Sequence, residues 1–135
     1  MKQLIILFSA LTLALSPNLA KAGDIKDILE GGQVIESSSF QGENGHTVSG
    51  GVQIIKKGDI QYLVLESDFL FDGAPDPKLG FSKNGEFTEA SLFSGLNQDQ
   101  GTQIYRLPVD FDAANYDEVT IWCDKFDVSL AEAKY

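Results

Sequence analysis

Two residue types with the chemistry of metal ligands or redox centres occur once each in the 135-residue sequence, as Cys123 and His46. A thiolate is a nucleophile and a metal ligand, and a neutral imidazole is a common metal ligand. One hypothesis is that Cys123 and His46 together hold a metal ion or haem iron, but a lone histidine in a turn is more often solvated or hydrogen-bonded. A single thiol in an exported chain is buried in the core, paired with another chain, or used chemically. With one histidine, a site built from several histidines is excluded within one chain.

The residues before Cys123 have the composition of a β-strand, in which successive side chains point to opposite faces. Val119, Ile121 and Cys123 then share an apolar face, while Trp122 lies on the other. A free cysteine on an apolar face is most often a small buried hydrophobe with blunted reactivity. The sequence leaves two hypotheses open: a core residue, or a functional sulfur with Trp122 and His46 helping to bind a cofactor.

Acidic side chains cluster in two segments that resemble loops. Oxygen ligands for calcium occur in the first cluster, but its spacing does not match the helix-flanked calcium loop, and a solvated acidic turn is the favoured interpretation of both clusters. The two clusters are Asp68, Asp72 and Asp76, and then Asp110, Asp112, Asp117 and Glu118. Hydrolase, phosphate-loop, dinucleotide and metalloprotease signatures are absent from the sequence. An electron-transfer or binding domain is therefore expected more than a stand-alone enzyme.

Short runs of β-branched and aromatic residues predict an all-β domain that would position these side chains. Segments 52–55 and 60–69 flank a Lys-Lys-Gly-Asp turn and predict an antiparallel hairpin. Further strands are expected at 79–82, 90–93, 101–107 and 119–128. Strands at intervals of about ten residues are typical of an antiparallel β-sandwich or a jelly-roll-like barrel. We expect one such domain over 39–135, preceded by a lead-in segment, 23–38, that contains a short helical turn.

The first 22 residues have the features of a signal peptide: Lys2, an apolar run over 4–15, and the small-x-small triplet Ala20-Lys21-Ala22. The run is shorter than the ~20 residues that a membrane-spanning helix needs. We expect cleavage before Gly23, a mature chain without a membrane span, and a secreted or periplasmic location.

The balance of charge limits the expected partners. The chain has 10 Lys and Arg against 20 Asp and Glu, a net charge of −10 that becomes −12 once Lys2 and Lys21 are removed. Such a surface repels phosphate backbones and anionic lipids, so nucleic acid is not an expected partner. A single cysteine also excludes an internal disulfide, and the fold must rest on hydrophobic burial.

Five blocks in order carry a resemblance to a known family over about residues 39–133. They are Ser39-Phe40-Gln41-Gly42, His46 to Gly50, Asp68-Phe69 with Gly73 to Pro77, Gly101 to Pro108, and Tyr116 to Val128. In these blocks the chain resembles the electron-transfer DM-thirteen domain, a module found beside DOMON domains in extracellular animal proteins and in exported bacterial proteins. Ala74 departs from the family's usual Gly-Pro-Asp run, and the segment 129–133 departs from its glycine-containing ending.

The resemblance implies an all-β domain whose near-invariant cysteine, at Cys123, serves redox chemistry as a bare thiol or as a ligand to a prosthetic group such as haem. Two functions follow for testing. The first is an exported redox module that exchanges electrons with a redox partner protein, with Cys123 as the thiol or ligand, Trp122 shielding it, and His46 as the second ligand. The alternative is a non-catalytic extracellular β-sandwich that binds a protein or carbohydrate and uses Cys123 only for packing.

Overall fold

Strands make up most of the regular structure in residues 22–135, the part of the chain that the computed structural model describes. One helix, α1 (Ala22–Gly31), precedes them. The strands in chain order are β1 (Gln33–Ser39), β2 (Gln41–Gly42), β3 (Val48–Ser49), β4 (Gly51–Lys57), β5 (Ile60–Leu65), β6 (Leu70–Phe71), β7 (Pro77–Lys83), β8 (Glu86–Thr88), β9 (Ser94–Gly95), β10 (Gln103–Arg106), β11 (Glu118–Cys123) and β12 (Val128–Lys134). All but the last residue of the expected signal peptide lie outside this range.

The strands form two main sheets in which neighbours run antiparallel. The first sheet has the order β1-β4-β5-β10, and the second has the order β2-β12-β11-β7-β8, with β9 also paired to β7. A small third sheet joins β3 to β6. The predicted all-β class is confirmed. Among the described residues the sheets do not close into a barrel, so the sandwich and not the barrel is the architecture.

Alternating side chains of the central strands fill the space between the sheets. The first sheet contributes Val52, Ile54, Leu63 and Leu65, and the second contributes Leu79, Phe81, Val119 and Ile121. All eight are at most 2% exposed. Full burial of each such side chain contributes roughly 1.5–3 kcal/mol. This layer holds the two sheets together and fixes which face of every strand points inward.

The helix α1 covers the outer face of the first sheet, as the apolar spacing in the lead-in segment predicts. Its Ile28 packs on Ile55 and Val64. Gly32 ends the helix where a Cβ would lie 2.6 Å from the Ile28 carbonyl oxygen, so only glycine fits this turn. In the described part of the chain, no helix is both long enough and apolar enough to cross a membrane.

The predicted hairpin and the Asn-Gly turn are confirmed, and three strand boundaries are wrong. The hairpin is β4–β5, but β5 ends at Leu65 because residues 66–69 form a turn closed by the Phe69 N–H and the Glu66 carbonyl at 3.0 Å. The strand predicted at 90–93 is a 3-10 turn, Glu89–Ser91, whose serine hydroxyl accepts the Phe81 N–H at 2.7 Å. The strand predicted at 119–128 contains most of β11, the turn at 124–127 and the first residue of β12, with which β11 forms a hairpin. The lead-in segment also contains β1, an edge strand of the first sheet that the sequence pattern did not predict.

A β-bulge in β12 sets the side-chain pattern beside Cys123. Ile121 pairs with Ala131 and Trp122 pairs with Ser129, which leaves Leu130 as the extra residue. Leu130 and Ala131 are therefore both buried although they are consecutive. The same bulge places Ser129 opposite Trp122 on the outer face of the sheet.

Candidate functional site

Cys123 is the last residue of β11 and lies inside the core. The residue is 1% exposed and belongs to the main apolar cluster with Val119 and Ile121, as the alternation of the strand predicts. Its Sγ lies 3.1 Å from the Pro75 carbonyl oxygen and donates a hydrogen bond to it. The buried sulfur therefore has a polar partner inside the core.

Pro75 belongs to the segment 72–77, which connects β6 to β7 and which we call the cysteine loop. Beside the sulfur, the Asp76 carbonyl oxygen accepts the Asp124 N–H at 3.2 Å. Lys78 Nζ lies 2.6 Å from Asp124 Oδ2 and 3.7 Å from Asp76 Oδ2, and these ion pairs raise the pKa of Lys78. Asp76 has a φ of +49°, a strained backbone conformation for a residue with a Cβ. The loop is thus fastened tightly at the Cys123 end.

The other end of the cysteine loop is fastened by His46 and Thr47. Asp72 Oδ2 accepts the Thr47 N–H at 2.9 Å, and Asp72 Oδ1 lies 2.9 Å from His46 Nδ1. The Thr47 N–H and the His46 side chain hold the pKa of the Asp72 carboxyl below its ordinary value of 3.8. The His46 ring also packs on Phe71, with centroids 6.2 Å apart. His46 therefore acts on the loop through Asp72.

The segment that carries His46 is positioned by Gly50 and Asp68. Gly50 has a φ of +101°, and a Cβ there would lie 2.4 Å from the Phe69 Cα, so no other residue fits. Asp68 Oδ1 accepts the Gly51 N–H at 2.9 Å. The block His46 to Gly50 and the pair Asp68-Phe69, which are distant from Cys123 in sequence, meet here and orient one end of the cysteine loop.

The structure does not bring Cys123 and His46 together as a ligand pair. They fasten opposite ends of the cysteine loop, with the sulfur bonded to a carbonyl and His46 Nδ1 bonded to a carboxylate. Across residues 22–135, no group of three or more His, Cys, Asp or Glu side chains is placed to hold a metal ion. Cys123 is 1% exposed and belongs to the main apolar cluster. These residues do not fit a haem or a metal centre, and we derive no step through one.

Four of the seven acidic side chains in the two clusters accept backbone N–H groups. In the first cluster, Asp68 and Asp72 accept N–H groups of the neighbouring segment. In the second, Asp112 caps a 3-10 turn by accepting the Ala114 N–H at 3.0 Å, and Asp117 accepts the Asn84 N–H at 3.0 Å. These four carboxylates are acceptors within the fold, whereas Glu118 is buried in β11, so the prediction of a solvated acidic turn is wrong for Glu118.

Trp122 lies on the outer face of the second sheet, on the opposite side of β11 from the sulfur. Its ring stacks on Phe87 with centroids 4.0 Å apart and planes 8° apart. The two rings lie over β7, the strand between their own strands, at Gly80, where a Cβ would contact the Phe87 ring at 3.0 Å. Trp122 does not shield the sulfur from within the core.

Sequence reasoning missed two groups that control the sulfur. The Pro75 carbonyl has no side-chain signal, and only the spatial approach of the cysteine loop identifies it. The second group is the ion pair of Lys78 and Asp124. Lys78 pairs with Trp122 in the adjacent strand and so lies near Asp124, but this strand pairing is decided only by the tertiary structure.

Comparison with models of protein families matches residues 39–135 to the family described as "Electron transfer DM13". No curated protein and no solved structure gives a significant match. The matched region contains β2 to β12, the cysteine loop and every residue that fastens it.

Proposed function

Because the chain belongs to the electron transfer DM13 family, we propose that it is an exported electron-transfer module whose redox group is the thiol of Cys123. One observation carries the assignment of the residue. Three of the sequence blocks that mark the family resemblance, at 46–50, 73–77 and 116–128, meet at one loop that covers this sulfur. A cysteine used only as core filler does not require a clamped loop at its sulfur.

The proposed chemistry begins with opening of the cysteine loop. The closed loop keeps the sulfur out of solvent, where a partner molecule cannot reach it. Once the loop lifts from Cys123, the thiol ionises and attacks a disulfide of a partner molecule. The partner's S–S bond breaks, a new S–S bond joins Cys123 to one partner sulfur, and the other partner sulfur leaves and takes up the proton. A second thiol from outside the chain then restores Cys123.

The alternative function, a binding module with Cys123 as a packing residue, is favoured by one specific observation. The sulfur is 1% exposed and its neighbours in the core are apolar. In that case the sulfur meets solvent only when the whole domain unfolds. The two functions therefore differ in the size of the motion that exposes Cys123.

Thiol labelling across a urea series distinguishes them. A dipyridyl disulfide releases a coloured product when it reacts with Cys123, the only thiol of the chain. Local opening exposes little surface, so we expect a labelling rate that is nearly independent of urea below the unfolding transition. A rate that rises with the full slope of global unfolding would overturn the redox assignment. Cys123→Ala, which has no thiol, gives the background.

An absorption spectrum of the full protein tests the bare-thiol form of the proposal separately. We expect no visible chromophore in protein recovered from an exported preparation. A Soret band or a thiolate–metal band that disappears in Cys123→Ala would show that the sulfur is a ligand instead.

Export has its own test, which is independent of the sulfur. Protein recovered from the periplasm or the medium is expected to begin at Gly23, as the triplet Ala20-Lys21-Ala22 predicts. Recovery of a chain that retains the first residues and stays with the cells would contradict export and leave the thiol chemistry standing.

A further inference from the structure

A second feature of the molecule lies on the outer face of the second sheet, away from Cys123. It is a cleft of about 540 Å³ whose floor is formed by β7, β8, β11 and β12. Six carboxylates line it: Glu43, Glu86, Glu89, Glu118, Asp127 and Glu132. We call it the acidic cleft. Charge of one sign in a concave site concentrates ions of the opposite sign and disfavours anions.

The aromatic pair of Trp122 and Phe87 forms the apolar part of the acidic cleft. Both side chains line it, and both are half-buried, so ring surface faces the open space. The parallel stack is rigid, because Gly80 leaves room for Phe87 to lie against β7. Flat aromatic surface next to carboxylates binds cations through the ring quadrupole and through charge.

A buried acid and an unpartnered hydroxyl lie in the cleft. Glu118 is 5% exposed and lies beside Glu132 and Lys134, and burial together with the neighbouring Glu132 raises the pKa of its carboxyl group. Ser129 Oγ is buried and has no hydrogen-bond partner among the described residues. Buried polar groups are normally satisfied, so the Ser129 hydroxyl points to a partner supplied from outside.

We propose that the acidic cleft binds an arginine side chain of a basic segment in a partner protein. A guanidinium has five donors in one plane, stacks on aromatic rings and pairs with carboxylates in a bidentate manner. It therefore matches both the carboxylates of the cleft and the Trp122–Phe87 platform. A divalent metal ion fits less well, because residues 22–135 contain no group of three or more side chains placed to hold one. The proposal does not depend on the redox role of Cys123.

Lys134 is the cation already present at the edge of the cleft. Its Nζ lies 3.4 Å from Glu132 Oε1, while its side chain is 69% exposed. An arginine that enters the cleft meets Glu132 and so competes with Lys134. Removal of the lysine is therefore expected to strengthen binding, whereas removal of the Glu118 charge is expected to weaken it. The two substitutions have effects of opposite sign, which a general loss of structure does not produce.

Trp122 is the only tryptophan of the chain, so its fluorescence reports on this cleft alone. The probe is a short blocked peptide with one arginine, compared with peptides in which citrulline or lysine replaces it. We expect a saturable change in fluorescence with arginine, weaker binding with lysine, and no binding with citrulline, which keeps the shape without the charge. Equal binding of the citrulline peptide, or no saturable change with any peptide, would overturn the proposal.

Variants of the full chain complete the test. Glu118→Gln is expected to weaken arginine binding by at least about tenfold, the effect of losing a charge-assisted hydrogen bond, and Lys134→Gln is expected to strengthen it. Asp59→Asn is the control, since it removes the same charge from an exposed turn between β4 and β5. If Asp59→Asn weakens binding as much as Glu118→Gln, the attraction is a property of the whole acidic surface and the site assignment fails.

Discussion

The two faces of β11 differ in chemistry although they belong to the same six residues. The inward face carries Val119, Ile121 and Cys123 in a layer of hydrocarbon. The outward face carries Glu118, Thr120 and Trp122, and Thr120 hydrogen bonds to Ser82 at 2.5 Å. Both faces are buried at most positions, so burial alone does not distinguish them.

The difference shows that burial has opposite consequences for a thiol and for a carboxyl group. Inside the core, the Cys123 thiol has a carbonyl partner and is stable as it stands. On the outer face, Glu118 lies beside the carboxyl group of Glu132 and the amine of Lys134, and burial raises the pKa of Glu118. The thiol thus has a single neutral partner in the core, whereas the buried carboxyl group lies among charged neighbours.

The largest expected effect comes from paired truncations on the two faces of the second sheet. Phe81 is fully buried and contacts the rings of Phe93, Phe111 and Tyr116, whereas Phe87 contacts mainly Trp122. We expect Phe81→Ala to lower the free energy of unfolding by roughly 3–5 kcal/mol and Phe87→Ala by about 1–2 kcal/mol. Urea denaturation followed by circular dichroism measures both. Equal losses would mean that the outer face is packed like the core.

A smaller effect on stability is expected at the sulfur itself. Cys123→Ala removes one buried atom and a hydrogen bond, at a cost of about 1–2 kcal/mol. The variant is expected to remain folded and to form no mixed disulfide with oxidised glutathione. Mass spectrometry of the protein after incubation with oxidised glutathione measures this adduct. Trp122→Phe, on the other face of the same strand, is the matched control and is expected to keep the adduct. Loss of the adduct in Trp122→Phe would link the two faces.

Acid is expected to release the cysteine loop before it unfolds the domain. The folded-state pKa of Asp72 is lowered. The contribution of Asp72 to the stability of the closed loop is therefore complete above its ordinary pKa of 3.8 and is lost as pH falls through the lowered value. The rate at which a dipyridyl disulfide labels Cys123 should rise in this range, while Trp122 fluorescence still reports a folded domain. In the Asp72→Asn variant, Cys123 is expected to be labelled severalfold faster at neutral pH, and the labelling rate is expected to rise little further in acid. An unchanged rate in this variant would remove Asp72 from the control of the loop.

The smallest effect is expected from Glu118→Gln on stability. Glu118 faces Glu132 and Lys134 of β12, Ser82 of β7 and its neighbour Asp117. Because its pKa is raised above 4.5 in the fold, the wild-type protein loses stability as pH rises through that pKa, and the glutamine variant does not. The variant is therefore expected to be the more stable at neutral pH, with the difference closing in acid. A less stable variant at neutral pH would show that the Glu118 carboxylate already has a donor.

The sequence predicted several elements of the fold because their signals are local. Alternation in 119–123 correctly placed Cys123 inward, and the Asn84-Gly85 pair, with φ of +52° and +78°, forms the tight β7–β8 turn that it predicts. The strand predicted over 119–128 hid a hairpin turn, since Phe126 and Val128 are strand-forming types on either side of the turn residue Asp127. The edge strand β1 was missed because it is mostly polar and pairs on one side only.

The candidate sites were predictable to different degrees. Cys123 and His46 stand out by rarity, and the family resemblance marks both with the loop between them. Their actual connection runs through Asp72 and Pro75, and no spacing rule relates a carbonyl to a sulfur 48 residues away. The acidic cleft had even less signal, since its carboxylates come from four separate segments of the chain.

By itself the sequence determined the all-β class, the family and the inward face of the strand that carries the single thiol, because residue type and period-two alternation act between near neighbours. Only the tertiary structure decided what each face meets. Packing brings distant segments within hydrogen-bond distance, and it alone gave the thiol a carbonyl partner and placed Glu118 beside both Glu132 and Lys134.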